Sequence, residues 1–213
     1  MTERYVPAAG RRAFTRLYDP VVALTMREQT FRERLRSQVL AGLQPGGAVA
    51  DVGCGTGTTA IALASSGAQV IGIDGDPEVL AIAHRKPGAS AVQWRKGTAT
   101  ALPLAGESVD RVVMSLLLHH LGTEAKRTAL AEARRVLRPA GRLHVADWGR
   151  PRGALPQAGA WLLARIDEAA SLREHLAGGV SDVIGASGFV DVTLRGRLAT
   201  AWGTLELLSA RRP

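Results

Sequence analysis

The stretch Val49–Gly57, which reads VADVGCGTG, decides the fold. Val49–Val52 is an apolar run of strand length, and three alternating glycines follow it directly. Glycine lets the backbone adopt positive φ and lets a ligand approach without a Cβ in the way. A helix is predicted next, over Thr58–Ser65, and its unpaired N–H groups would point into the turn. The stretch therefore predicts a buried strand, a ligand-binding turn and a helix.

The alternation of strand and helix continues along the chain. Asp76 and Pro77 supply a cap and a first-turn proline, and Glu78 an acidic first turn, so they predict the start of a helix. Another helix is expected over Glu124–Leu137, stopped by Arg138–Gly141. Alternation at this spacing predicts an α/β fold with a doubly wound, mostly parallel sheet and helices on both faces. The expected strands of this part are Val49–Val52, Val70–Ile73, Ala91–Arg95, Val109–Met114 and Leu143–Ala146.

The two flanks differ from this core. Before it, Val21–Leu43 has a rough apolar stripe among arginines and predicts one amphipathic helix. After Trp148, two helical stretches are expected at about 157–170 and 172–186, followed by strands at Phe189–Leu194 and Trp202–Ser209. An antiparallel pair is permitted at a sheet edge. We expect one domain over 1–213, divided into an N-terminal cap (1–44), a cofactor-binding core (45–147), a helical insert (148–187) and a C-terminal strand pair (188–213).

Composition limits the class of protein. The 213 residues suit one domain with a sizeable core. No apolar run is long enough to span a membrane, and the N-terminus lacks the apolar run of a secretory signal, so we expect a cytoplasmic enzyme of bacterial type. Cys54 is the only cysteine, which excludes an intramolecular disulfide and a cysteine metal cluster.

The net charge of +8 leaves two interpretations open. A basic chain can bind nucleic acid. However, the only lysines are Lys86, Lys96 and Lys126, and the arginines are spread along the chain, which is typical of a GC-rich genome. Aromatic residues are sparse, which argues against a surface that stacks single-stranded bases. We therefore expect no nucleic-acid partner.

Three features distinguish the glycine turn from that of a dinucleotide enzyme, which uses a similar motif. Asp51 lies inside the strand, where a buried acid must hold loop amides or a cationic ligand. Asp74 ends the second strand, seventeen residues after Gly57, where a carboxylate can accept both hydroxyls of a ribose. The block Gly97–Leu104 after the third strand has no counterpart in the dinucleotide fingerprint.

With these features the sequence resembles the class I S-adenosylmethionine-dependent methyltransferases, in particular the small-molecule branch of ubiquinone and menaquinone C-methyltransferases. The resemblance covers about residues 14 to 210. It implies a Rossmann-like sheet of seven strands in the order 3-2-1-4-5-7-6, with strand seven antiparallel. The matching pieces are Val49–Gly57, Gly72–Asp74 with Asp76 and Pro77, Gly97–Leu104, Ser108–Asp110, Leu116–Leu121 and Leu137–Gly141.

The resemblance also implies a cofactor site for S-adenosyl-L-methionine, which would leave as S-adenosyl-L-homocysteine. Asp51 would anchor the amino-group side of the cofactor and Asp74 the ribose hydroxyls. Thr98 stands where the family commonly has an acid, so it would accept more weakly from the adenine amine. Ala140 likewise replaces a common glycine. The implied cofactor-binding residues are Tyr18, Arg27, Asp51, Gly53, Cys54, Gly55, Gly57, Asp74, Gly75, Thr98, Ala99, Ser115 and Leu116.

The remaining residues of the implied cofactor site differ in how strongly the sequence supports their roles. Cys54 is expected to be a small residue that the turn tolerates, since no activating partner is evident. Ser115 and Leu116 would form the floor near the sulfonium. Tyr18 and Arg27 stand where related enzymes close over the methionine carboxylate, although an arginine on a helix is more commonly solvated.

The candidate catalytic residues follow the fourth and fifth strands. Methyl transfer is an in-line displacement, so the protein mainly positions and desolvates the acceptor. His119, His120 or Asp147 could serve as a base if the acceptor must lose a proton. Alternatively, at least one histidine caps or packs the following helix, and Asp147 ties down the loop before Trp148.

The expected acceptor is a small hydrophobic or aromatic molecule, because the stretch Trp161–Leu176 is apolar. The same stripe would arise if that stretch only packs on the sheet.

Three alternative functions remain: an RNA or DNA methyltransferase, a nicotinamide-dependent oxidoreductase and a non-catalytic cofactor-binding relative. Met114–Leu117 lacks the proline and aromatic residues of amino-directed base methylases, and no clustered metal ligands are evident. The identity of the acceptor and the oligomeric state are left open.

Overall fold

The computed structural model describes residues 27–149, 179–200 and 203–213. Seven strands form one sheet in the order β3-β2-β1-β4-β5-β7-β6. The first five strands are mutually parallel, and β7 runs antiparallel to both β5 and β6. This confirms the predicted α/β fold, strand order and antiparallel strand. The strands are β1 Ala48–Val52, β2 Gln69–Asp74, β3 Val92–Lys96, β4 Val109–Ser115, β5 Leu137–Gly149, β6 Val190–Thr200 and β7 Gly203–Arg211.

The described helices cover the two faces of the sheet. Asp76 caps α3 as predicted, because its side chain accepts a hydrogen bond from the Glu78 N–H at 2.8 Å. Short 3-10 turns occupy Ala89–Ala91 and Leu118–His120. The helices are α1 Glu28–Leu40, α2 Thr58–Ala64, α3 Pro77–His84, α4 Thr123–Val136 and α5 Val180–Ala186.

Strand β5 begins six residues earlier than predicted. The prediction placed a turn at Arg138–Gly141 and started the strand at Leu143, but Leu137 already pairs with Val109 of β4. The register then shifts between Val109 and Arg111, and Ala140 adopts a left-handed φ of 61°. A bulge interrupts the regular alternation of apolar and polar residues from which a strand is predicted, so the early start of β5 could not be read from the sequence.

Other boundaries also differ from the predictions. Strand β6 runs to Thr200 rather than Leu194, past a register shift between Leu194 and Gly196. The helix predicted over Val21–Leu43 is described only from Glu28 and ends at Leu40. Most of the predicted insert, 150–178, lies outside the described residues, and so does Tyr18.

Two apolar cores sandwich the sheet. One lies between the sheet and α4 and α5, with Met114, Leu130 and Ile184 fully buried. The other lies between the sheet and α1 and α2, where Phe31 and Leu35 are fully buried. Because both faces are covered, the edge formed by the carboxyl ends of β1 to β5 is where a ligand can reach the strands.

Candidate active site

Asp51 is a buried carboxylate at the base of the glycine turn, with 1% of its surface exposed. Its Oδ2 is buried without a hydrogen-bond partner. Burial raises the pKa of Asp51 to about 7, although the Arg32 charge acts in the opposite direction. This carboxylate oxygen fits a ligand that carries a cationic hydrogen-bond donor. Burying a carboxylate costs free energy unless an opposite charge or hydrogen bonds compensate it.

The three glycines of the turn serve different purposes. Gly53, Gly55 and Gly57 all have positive φ, of 68°, 53° and 77°. A Cβ on Gly57 would lie 2.3 Å from the Trp94 ring, so this glycine is needed for packing. A Cβ on Gly55 would meet nothing within 4 Å. The backbone at Gly55 therefore borders open space, where a ligand can approach it.

Asp74 stabilises this turn from the end of β2. Its Oδ2 accepts from the Gly55 N–H at 2.8 Å, and its Oδ1 accepts from the Asp76 N–H at 2.9 Å, across Gly75. Carboxylate oxygens accept more than one hydrogen bond, so these contacts leave capacity for ribose hydroxyls. The predicted role of Asp74 in ribose binding stays a prediction.

Lys86 supports the turn from outside, and Cys54 of the turn itself packs against β2. Lys86 Nζ donates to the hydroxyls of Thr56 at 2.8 Å and Thr58 at 2.9 Å. Cys54 is directed toward Gly72 of β2, and burial together with the charges of Asp51 and Asp74 raises the pKa of its thiol. A thiol in these surroundings stays protonated and is a poor nucleophile.

The segment after β3 is attached to the same edge. The Gly97 N–H donates to the Asp74 carbonyl at 3.0 Å. Thr98 is exposed, forms a bridge with Ala101, and its hydroxyl lies 3.2 Å from that of Thr100. These contacts place Thr98 and Ala99 beside the end of β2, where the predicted adenine edge would lie.

Two side chains of helix α4 hold the segment that follows β3. Glu132 accepts from the Leu102 N–H at 2.8 Å, and Arg135 donates to the Leu104 carbonyl at 2.8 Å. These two contacts escaped the sequence analysis, because 30 or more residues separate the partners.

The end of β4 reaches the glycine turn through Leu117. A Cβ on Gly53 would lie 2.8 Å from the Leu117 side chain, so the two segments are in close contact. Leu116 has a left-handed φ of 54°, and its N–H donates to the Ala146 carbonyl at 2.8 Å. Ser115 and Leu116 are both half-buried, as a floor of the site would be, and their predicted role stays a prediction.

Asp147 joins the ends of β4 and β5. Its Oδ2 accepts from the Leu118 N–H at 2.7 Å and approaches the His119 N–H at 3.4 Å. Its Oδ1 lies 2.7 Å from His119 Nδ1 and accepts from the Trp148 N–H at 2.8 Å. Both oxygen atoms are thus used within the protein, and the contact with Nδ1 orients the His119 ring.

The two histidines differ in their environment. His119 is buried, with its ring held by Asp147, whereas His120 is exposed. Their ring centroids are 3.9 Å apart at an interplanar angle of 42°. Because a carboxylate fixes the orientation of the His119 ring, His119 is the better candidate for a base.

A groove of about 770 Å³ lies between the first turns of α1 and α2. Arg27, at the N-cap of α1, lines it together with Thr58 and Thr59. Arg32 lines it as well, donating to the Thr59 hydroxyl at 2.6 Å and forming an ion pair with Glu28. The sequence analysis missed Arg32, whose charge acts on Asp51 across the helix pair.

Within the described part of the chain, no group of three or more histidine, cysteine, aspartate or glutamate residues could hold a metal ion. None of the described helices is long and apolar enough to cross a membrane.

Comparison with protein families matches residues 50–145 to a family described as "Methyltransferase domain". The demethylmenaquinone methyltransferase of Renibacterium salmoninarum is 35% identical over 134 residues, or 63% of this chain and 55% of that protein. The chain spans about half the length of such curated relatives. An uncharacterized methyltransferase of Synechocystis sp. is 34% identical over 147 residues, or 66% of this chain and 68% of that protein.

A solved structure has the same fold. Magnesium protoporphyrin IX methyltransferase from Synechocystis, crystallised with bound SAH, superimposes with a TM-score of 0.70. The alignment covers 87% of this chain and 84% of that one at 22% identity, so it shows the fold alone.

Proposed function

Because the chain belongs to the class I S-adenosylmethionine-dependent methyltransferases, we propose that it transfers a methyl group from S-adenosylmethionine to a small, apolar or aromatic acceptor. The observation that carries the proposal is the buried Asp51 Oδ2 without a partner at the base of the glycine turn. The raised pKa of Asp51 agrees with it, because a cationic ligand would restore the ionised carboxylate.

The residues at the carboxyl edge fit this cofactor. Asp51 would accept from the α-ammonium group, and the open space beside Gly55 would admit the methionine chain next to the backbone. Asp74 would accept from the ribose hydroxyls while holding the Gly55 N–H. Thr98 and Ala99 would border the adenine, together with Gly75. Bound S-adenosylmethionine supplies an electrophilic methyl carbon together with its own leaving group.

His119 is the residue that we propose to remove a proton from the acceptor. With an ionised Asp147 on Nδ1, the proton is held at that nitrogen, and Nε2 is the basic nitrogen of the ring. Asp147 acts as the positioning residue. An acceptor that loses no proton on methylation would need only the orientation and water exclusion that this edge provides.

Quinone-type ring systems are the first acceptors to test. A relative named for demethylmenaquinone methylation supports this class, at 35% identity over 63% of the chain. The single-domain organisation, the cytoplasmic location and the preference for a small molecule over nucleic acid stay predictions.

The proposal is tested by adding S-adenosylmethionine or S-adenosylhomocysteine to the full chain and measuring the melting temperature. Both ligands should raise it, since a ligand that binds the native state stabilises it. NAD(P) should not. A radiolabelled-methyl assay against demethylated naphthoquinols then measures transfer. A chain that binds NAD(P) and ignores S-adenosylmethionine would overturn the proposal.

A further inference from the structure

Several polar side chains of β4 and β5 lie on the sheet face under α1. Arg111 and Arg142 stand directly opposite each other on these strands. His144 stands opposite Val113 on one side and Ser209 of β7 on the other. Val113 belongs to the core that α1 covers, so side chains in step with it share this face. His144 lies at the level of Asp51, two strands away in the sheet, because both residues are in register with Val113.

His144 is the deepest member of this group. Only 2% of its surface is exposed, and neither Nδ1 nor Nε2 has a hydrogen-bond partner. Burial and three arginines, Arg111, Arg142 and Arg195, lower the pKa of His144 to about 3. A neutral imidazole has one donor and one acceptor, and burying both without partners is costly. A buried polar group in this situation indicates an additional molecule.

The guanidinium groups around His144 have few hydrogen-bond partners and no carboxylate partner among the described residues. Arg111 is 9% exposed and donates to the carbonyls of Asp110 and Ala41, and its Nε is buried without a partner. The Arg142 side chain makes no hydrogen bond or ion pair with any described residue. Arg195 donates to the Ser209 hydroxyl at 2.9 Å.

The nearby carboxylates have other partners. Asp110 accepts from the Ala48 N–H and from Arg138, both at 2.8 Å. Asp191 pairs with Arg211, which stands opposite Arg142 on β7. Like charges directly opposite each other in a sheet are destabilising. The arrangement therefore has an excess of positive charge that the described residues do not neutralise.

We propose that Arg111, Arg142, Arg195 and His144, named here the arginine cluster, bind a small oxyanion of the phosphate or sulfate class. Arginine matches such anions because its planar fork donates two parallel hydrogen bonds. The imidazole of His144 would donate a further one. The anion would also cancel the repulsion between Arg111 and Arg142, which a bound water could not do.

The depth of the cluster favours a small anion over a macromolecule. His144 and Arg111 are buried, Arg142 is half-buried and Arg195 is exposed. A nucleic-acid strand or an anionic membrane could reach only the two outer arginines. This inference does not depend on the methyl-transfer proposal, because the arginine cluster shares no residue with the proposed cofactor site.

The test uses the full chain in phosphate-free buffer, titrated with inorganic phosphate or sulfate at constant ionic strength with chloride. Calorimetry should give saturable binding at one site, with a higher melting temperature. The double variant Arg142→Gln/Arg195→Gln should bind phosphate at least about tenfold more weakly, because hydrogen bonds to charged groups are lost. The control Arg34→Gln/Arg85→Gln removes the same charge from exposed positions on α1 and after α3, and should stay within about twofold.

Three results would overturn the inference. The folded wild-type chain could show no saturable phosphate or sulfate binding. Both double variants could lose affinity equally, which would indicate a general charge effect. Binding to anionic vesicles or RNA could depend on Arg142 and Arg195 while inorganic phosphate neither binds nor competes, which would indicate a macromolecular surface.

Discussion

Asp51 near the end of β1 and Asp147 near the end of β5 lie at the same edge of the sheet and are equally buried, each with 1% of its surface exposed. They differ in how the protein uses their oxygen atoms. Asp147 accepts from three backbone N–H groups and from His119. Asp51 has Oδ2 without a partner. The comparison separates a carboxylate that holds the protein together from one that is available to a ligand.

The largest expected effect is that of Asp51→Asn on cofactor affinity. The amide keeps the shape but removes the charge, so S-adenosylmethionine should bind about a hundredfold more weakly, by ~3 kcal/mol. Stability of the ligand-free chain should stay equal or rise, because an uncompensated buried charge is removed. Calorimetric titration and urea unfolding measure the two quantities.

Asp147→Asn is expected to lower the stability of the chain and to leave its affinity for the cofactor nearly unchanged. One oxygen becomes an NH₂ group, which cannot accept a hydrogen bond. Either the Leu118 N–H on Oδ2 or the Trp148 N–H on Oδ1 then loses its acceptor, so the unfolding free energy should fall by ~2 kcal/mol. Affinity for S-adenosylmethionine should change less than about threefold. Asp182→Asn, the same substitution at an exposed position in the first turn of α5, is the control and should leave stability and affinity nearly unchanged. If Asp51→Asn and Asp147→Asn lost equal affinity for S-adenosylmethionine, the distinction between a ligand-binding and a structural carboxylate would be contradicted.

The third prediction concerns pH. The folded pKa of Asp51 is about 7, above its ordinary 3.8, so folding favours the protonated form. Its contribution to ligand-free stability is therefore complete below pH 3.8 and is lost as the pH rises through about 7. Cofactor affinity should change in the opposite direction, increasing several-fold, at most about tenfold, between about pH 6 and 7.5. The Asp51→Asn variant should lack both trends, and a wild-type profile identical to that of the variant would contradict the prediction.

The last prediction distinguishes two glycines of the turn, Gly55 and Gly57, by their effects on stability and on cofactor binding. Gly55→Ala should cost only ~1 kcal/mol of stability, for its positive φ, because its Cβ meets nothing within 4 Å. It should nevertheless weaken cofactor binding, since the ligand occupies that space. Gly57→Ala adds a clash with Trp94 and should lower the melting temperature further. If Gly55→Ala bound S-adenosylmethionine normally, the ligand would lie elsewhere.

The sequence predicted those parts of the fold that local patterns encode. The apolar run before Gly53 and the Asp76 cap followed from local patterns, and the structure confirms them. The strand order was implied by the family resemblance alone, and it is confirmed as well. The predicted start of β5 was wrong, because the pairing of Leu137 with Val109 precedes a bulge in a polar segment.

Contacts between distant residues could not be predicted. The sequence placed Asp147 and both histidines near the site, but only the structure shows that Asp147 holds His119 and that His120 is exposed. The arginine cluster likewise combines residues from β4, β5 and β6, whose proximity depends on the sheet register.

The most direct test of the account is a thermodynamic cycle between Asp51 and the α-amino group of the cofactor. Wild type and Asp51→Asn are each titrated with S-adenosylmethionine and with an analogue that lacks this amino group. If the two groups interact, removing either one should cost wild type about a hundredfold in affinity, and removing both should cost little more. Independent, additive losses would contradict the claim that Asp51 Oδ2 receives the cation of the methyl donor.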